Sequence, residues 1–179
     1  IVPPKQIAGL LLSAILSDTL MFRSPTSTSM DEAAARALAV LAEEDIPTYA
    51  GQMFEAGGDL TGRTPEELFR SDFKVFEFGE HRFGVGQSFF MTEKLRSDAE
   101  ALLRPYLPEA AMKAGIPLVF YMLTNTLEED TNVICWGEHA EEMLERAFGR
   151  APEDGRLSLP GVVSRKMQMI PPLRLALNS

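Results

Sequence analysis

The segment Ile116 to Thr124 constrains the fold most, because it is an uncharged, β-branched and aromatic run typical of a central strand. Such a strand needs paired neighbours and cover on its faces. The neighbours are legible on both sides. Upstream, the apolar period changes at Phe73. Phe73, Phe76 and Phe78, with Val75 less cleanly, lead to the turn Gly79-Glu80-His81, and Phe83, Val85 and Gln87 to Phe90 follow as the second arm of a hairpin. Downstream, Asn132 to Trp136 reads as another strand, and Leu157 to Leu159 and Val162 to Ser164 as short ones. Helical stretches alternate with these: Thr48 to Ala56, Thr64-Pro65-Glu66-Glu67 to about Arg70, Thr92 to Leu103 continued after Pro105 to Lys113, Glu138 to Phe148 ended by Gly149, and Pro171 to Leu177. The expected class is α/β, a mixed sheet of about five strands flanked by helices.

The first third is helical. Gln6 to Leu16 is apolar on nearly every side, so it is expected to be buried on all faces, packed against a preceding domain that the sequence lacks. The chain also opens on Ile inside a helix approach, as if it starts partway along a longer polypeptide. Lys5 ahead of this stretch imitates a signal peptide, but Ser13 interrupts it and Ser17-Asp18 ends it. No segment approaches the roughly 18 apolar residues of a membrane span. Thr28 or Ser29 can cap a second helix, Met30 to Glu44, whose first turn holds Asp31 and Glu32.

With 26 acidic against 17 basic residues and a formal charge of −9, the overall field would not draw the chain to nucleic acid or an anionic membrane. An anionic substrate would need a local basic cluster. The single cysteine, Cys135, allows neither an intrachain disulfide nor a zinc-thiolate framework, and a reducing, cytoplasmic setting is expected. It reads as a small buried hydrophobe in a strand.

Four residues could carry chemistry. Asp18 stands where the apolar helix runs out, either satisfied by Thr19 or backbone amides or serving as a ligand to a hard cation such as Mg²⁺ or Mn²⁺. Arg165 and Lys166 follow a short apolar segment and precede Pro171-Pro172. A planar guanidinium beside a compact ammonium suits phosphate oxygens, while the bland alternative is a solvated strand end. Lys74 is explained equally well by an ion pair with Asp72 or Glu77. His81 and His139 have no metal-motif spacing and are expected at the surface. Gly57-Gly58-Asp59-Leu60-Thr61-Gly62 lacks the Gly-Lys-Ser/Thr of a P-loop.

Several stretches together resemble one family. Ile7 to Thr26 (IAGLLLSAILSDTLMFRSPT), Met53-Phe54-Glu55-Ala56-Gly57, Ser71-Asp72-Phe73-Lys74, Gly86-Gln87, and Ser164-Arg165-Lys166 with Pro171-Pro172 look like family II inorganic pyrophosphatases, of the DHH (Asp-His-His) phosphoesterase superfamily. The resemblance implies an N-terminal domain that holds paired manganese ions (or magnesium or cobalt) and a C-terminal DHH-associated lid that closes over it. Residues 1–25 would be the last helix and linker of a missing N-terminal DHH domain, and residues 26–179 the lid. Asp18 resembles the last metal ligand, Lys74 the lysine that reaches pyrophosphate, and Arg165 and Lys166 the pair that grips the phosphates. Arg23 stands where the family usually has lysine, which keeps the charge. The Asp-His-His triplet has no counterpart, so no complete catalytic set is expected. The chain alone should then be inactive and should bind no metal. The implied partners are pyrophosphate, the N-terminal domain and a second copy in a homodimer. A related exopolyphosphatase lid and a noncatalytic binding or dimerisation module are the alternatives.

Overall fold

Helices α1 (Lys5–Thr19), α2 (Ser29–Ala42) and α3 (Ile46–Gly58) make up the first of two units, whose boundary falls between Gly57 and Gly58. The computed structural model describes residues 2–177. Thr28 caps α2 with a reciprocal bond to Asp31, as its position ahead of the apolar periodicity predicts. Ala8, Leu12, Leu16 and Thr19 form one buried stripe on α1, and Leu12 and Leu16 pack with Ala35, Ala39 and Ala50, small residues that let the helices approach closely. The tyrosine of α3 adds polar fastening: the Tyr49 hydroxyl lies 2.7 Å from Ser13 Oγ and donates to the Gly9 carbonyl at 3.3 Å. The apolar surface of α1 that is expected to meet a preceding domain is open within this unit. Within its unit only α2 and α3 supply partner surface, and Ile7, Leu10 and Leu11 remain 45%, 67% and 46% exposed.

The second unit is a five-stranded sheet in the order β1 (Phe73–Phe78), β2 (His81–Phe90), β3 (Leu118–Asn125), β4 (Asp130–Trp136) and β5 (Arg156–Pro160). β2 and β3 are parallel and the other pairs antiparallel, so the sheet is mixed and the class α/β, as the alternation of elements predicts. The hairpin turn is tighter than expected: Phe78 pairs with His81, leaving Gly79 and Glu80 as its two residues. The parallel crossover runs through α5 (Glu93–Leu103), a 3₁₀ turn at Arg104–Tyr106 and α6 (Leu107–Ala114). These helices and α4 (Pro65–Arg70) cover one face, where Phe69, Leu103, Leu107 and Ala111 meet Tyr121, Leu123 and Ile134. Helices α7 (Ala140–Phe148) and α8 (Ile170–Ala176) cover the other, where Met143, Leu144, Met169 and Leu173 meet Phe83, Phe120, Met122 and Val133. β3 is thus buried on both sides, which is why its sequence carries no charge. Gly86 is required here: a Cβ there would lie 2.3 Å from the Tyr121 ring, which crosses over β2.

One expected strand is absent. Val162 to Ser164 does not join the sheet, because its backbone groups are taken by side chains. Gln168 Oε1 accepts from the Val163 and Ser164 amides, and Thr131 and Gln87 donate to the Val162 and Val163 carbonyls. A π-helical turn, Arg165–Met169, follows and leads into α8. No helix among the described residues is long and apolar enough to cross a membrane.

Candidate functional site

The loop that carries Ser164, Arg165 and Lys166 is anchored by buried polar side chains rather than by strand pairing. Gln87 Nε2 donates to Thr124 Oγ1 at 3.0 Å and to the Val163 carbonyl at 2.9 Å, and Thr124 Oγ1 is 2.9 Å from Thr131 Oγ1. One polar chain therefore crosses β2, β3 and β4 on the face covered by α7 and α8. From above, Gln168 closes the loop: its Oε1 accepts both amides at 3.0 Å and its Nε2 donates to the Gly161 carbonyl at 2.7 Å. Ser164 caps the π-helical turn by accepting from the Met167 amide at 3.3 Å. These bonds hold the turn in one defined conformation.

Arg165 points inward from this turn and is only 9% exposed. Its Nη1 donates to the carbonyls of Asp72 at 2.7 Å and Val85 at 3.2 Å, and its Nη2 to Asp72 Oδ1 at 2.8 Å. A guanidinium has five N–H groups. Three are thus committed and two have no protein acceptor among the described residues. Arg165 is a buried cation in an ion pair, not the solvated strand end that was one of its two readings.

Lys74 lies on β1 directly across from Val85, the residue whose carbonyl Arg165 holds. By strand alternation it shares a sheet face with Phe76 and Phe78, which pack with Met169 and Leu173. The ion-pair account of Lys74 fails here. Asp72 is committed to Arg165, and Glu77 pairs with Arg82 at 3.1 Å. Lys74 is exposed and, among the described residues, has no hydrogen-bond or ion-pair partner; the same holds for Lys166, next to Arg165. The second unit therefore brings together all three cations singled out in it, two of them free.

Asp18 belongs to the first unit, in the last turn of α1. It is exposed and has no protein partner among the described residues. Thr19, which could have satisfied it, instead donates to the Ile15 carbonyl at 2.7 Å and accepts from the Phe22 amide at 3.2 Å. The chain then turns through Leu20, Met21 and Phe22, three consecutive non-glycine residues at φ 49°, 52° and 69°. Left-handed backbone costs on the order of 1–2 kcal/mol per residue, and strain of this kind concentrates at functional sites. Among the described residues no three His, Cys, Asp or Glu side chains are grouped to hold a metal. One exposed carboxylate does not fit a metal centre by itself.

The remaining candidates are structural. His81 and His139 are exposed, and His139 Nδ1 is 3.1 Å from Glu142. Burial pushes the Cys135 thiol up to about 12, so it is no nucleophile near neutral pH. A pocket of about 390 Å³ on the opposite sheet face is lined by Phe69, Phe73, Tyr106 and Lys113, but there the lysine is held by Glu66 and Glu109, each at 2.9 Å. Asp72, Gln87 and Gln168 organise the cation site. Asp72 and Gln87 fall within the Ser71-Asp72-Phe73-Lys74 and Gly86-Gln87 stretches, but nothing local to Gln168 signals its role.

Residues 51–176 match the profile of the DHHA2 domain. A protein of Clostridium acetobutylicum called a probable manganese-dependent inorganic pyrophosphatase is 38% identical over 176 residues, 98% of this chain and 56% of that protein. A cobalt-dependent inorganic pyrophosphatase of Clostridium perfringens is 38% identical over 171 residues, 96% of this chain and 31% of that protein. A crystal structure of a Methanococcus jannaschii protein, assigned to the family II inorganic pyrophosphatases, superposes with a TM-score of 0.87 at 33% identity and covers 100% of this chain and 58% of its own. The chain spans little more than half the length of the first and third of these relatives.

Proposed function

Because the chain belongs to the DHHA2 domain family, we propose that it is the substrate-clamping part of a manganese-dependent inorganic pyrophosphatase that hydrolyses pyrophosphate to two phosphates. The carrying observation is the cluster at the start of β1: Lys74 and Lys166 exposed without protein partners, beside Arg165 with two uncommitted N–H groups. Unpaired ammonium groups next to an oriented guanidinium suit a compact, highly charged anion. The lysines supply point charges, and the arginine fork fixes direction. In an acidic chain this is the local basic cluster that such a substrate requires. During phosphoryl transfer these cations would bind the phosphate oxygens, hold them in line and offset the charge that develops on the leaving phosphate.

Manganese or cobalt appears in the names of the relatives. The described residues here offer Asp18 and no metal-holding group, so no step is assigned to a metal. On this reading Asp18 is one ligand among several supplied by an N-terminal DHH domain, residues 1–25 are the end of that domain, and residues 26–179 are the lid. The full-length protein would be a cytoplasmic homodimer, and this chain by itself would be inactive.

The deciding experiment is pyrophosphate hydrolysis with Mn²⁺, by this chain alone and by the chain joined to an N-terminal DHH domain. Activity only in the joined form, lost on Lys166→Ala, is expected. Turnover by the chain alone would overturn the division of labour. A joined form that prefers long polyphosphate would move the substrate to that of an exopolyphosphatase.

A further inference from the structure

Asp72 places a carboxylate beside three cations that, on the reading above, hold a phosphate anion. A carboxylate there repels the anion, so a compensating role is required. Its contacts supply one. Both its carboxylate and its main-chain carbonyl accept from Arg165, and the same carbonyl also accepts from the Gln87 amide at 3.1 Å. Asp72 thereby joins the turn that carries Lys166 to the strand that carries Lys74, two residues along the chain. Arg165 is the first residue of that turn, so fixing its guanidinium fixes the turn.

We infer that Asp72 is a positioning residue of the anion site: it orients Arg165 and, through it, sets Lys166 against Lys74. The inference rests on the pyrophosphate reading for its kinetic consequence but not for its structural one. Three N–H groups of Arg165 are committed to the scaffold and fix the plane of its guanidinium, so the arginine is organised before an anion arrives. A merely structural ion pair would affect stability and leave substrate affinity alone.

The test uses the joined full-length enzyme and pyrophosphate. Asp72→Ala is expected to raise KM by about 10-fold to 100-fold, the effect of losing one charge-assisted contact, with a smaller change in kcat. Asp72→Asn, which keeps an acceptor and loses the charge, should fall in between. Asp72→Ala combined with Arg165→Ala should be no worse than Arg165→Ala alone, and combined with Lys166→Ala the loss should be smaller than the product of the two, because part of the Asp72 effect runs through Lys166. An unchanged or lower KM for Asp72→Ala in a folded protein, or independent losses for Asp72 and Arg165, would overturn the inference. In the present chain without ligand, Asp72→Asn should speed amide exchange at Met167 and Gln168, and unchanged exchange would also overturn it. If Lys74→Ala and Lys166→Ala leave the kinetics untouched, the pyrophosphate reading fails instead, and the exchange measurement still decides the positioning.

Discussion

Two arginines of the second unit are buried, and they are buried differently. Arg96, 5% exposed, donates from Nη1 to Asp130 at 2.6 Å and from Nη2 to Glu93, and its Nε has no partner. Arg165, 9% exposed, faces one carboxylate that is itself 42% exposed, two carbonyls, and the neighbourhood of two exposed lysines. Arg96 is over-neutralised, one cation against two carboxylates, and has no charge left for a ligand. The Arg165 cluster is under-neutralised, three cations against one carboxylate. On the proposed reading, burial alone does not tell a structural arginine from a functional one, and the balance of counter-charge around it does.

That contrast would break first at stability. Arg96→Ala leaves Asp130, whose side chain is 19% exposed, without its cation, and should cost about 3–5 kcal/mol, read from urea denaturation of this chain. Arg165→Ala should cost clearly less stability, because Asp72 is half in water. Equal losses would erase the distinction. In the joined enzyme the order should reverse. Arg165→Ala should lower kcat/KM for pyrophosphate by about 2–4 kcal/mol of transition-state stabilisation, and Arg96→Ala should change it little at temperatures where the protein stays folded.

Glu93 lies one helical turn before Arg96, a pair that the spacing makes legible, but no local pattern joins Asp130 to Arg96; nor does any pattern join Asp72 to Arg165, 93 residues apart. Local signals, by contrast, read through to the structure. The uncharged run of β3 became the strand buried on both faces, and Thr28 with Asp31 and Thr64 with Glu67 became capping boxes. Val162 to Ser164 misled because β-branched residues look the same whether their amides meet a strand or the side chain of Gln168. For helix α1, periodicity reports apolar surface, and only tertiary partners decide how much of it is covered. In the site, the residue types at Lys74, Arg165 and Lys166 were visible, and their division into free lysines and a tethered arginine was not. That division depends on where the carboxylates of Asp72 and Glu77 turn.

A smaller effect comes from the tyrosine beneath the site. Tyr121 is fully buried, donates to the Leu68 carbonyl at 2.8 Å and lies 2.8 Å from Ser88 Oγ, and burial pushes its hydroxyl from 10.0 up to about 12. The folded state keeps this proton after the unfolded state has lost it. Its contribution is therefore fully present below pH 10 and disappears as pH rises through about 12, a loss of about 2–3 kcal/mol. Cys135 loses stability over an overlapping alkaline range, so the measurement is the difference between the parent and Tyr121→Phe. The variant should start lower and fall less steeply above pH 10.

The smallest expected change reads the arginine cluster itself. Burial dominates the Tyr121 shift, but the Asp72 carboxylate pushes the hydroxyl further up and the Arg165 guanidinium pulls it down. The tyrosine therefore senses both halves of the ion pair. Asp72→Asn should lower its pKa and Arg165→Ala should raise it, as followed by tyrosinate absorbance between pH 10 and 12 against a Tyr121→Phe baseline. The opposite signs matter more than the sizes, because a general loosening of the fold would admit water and lower the pKa in both variants. Substitution of Arg96 serves as the control. It carries the same charge, but Arg165, unlike Arg96, is among the largest influences on the tyrosine, so Arg96→Met should leave the titration nearly where it was while the protein remains folded. A Tyr121 that responds to Arg96 as it does to Arg165 would mean that the two buried arginines share one electrostatic environment, and the difference in their counter-charge would no longer separate their roles.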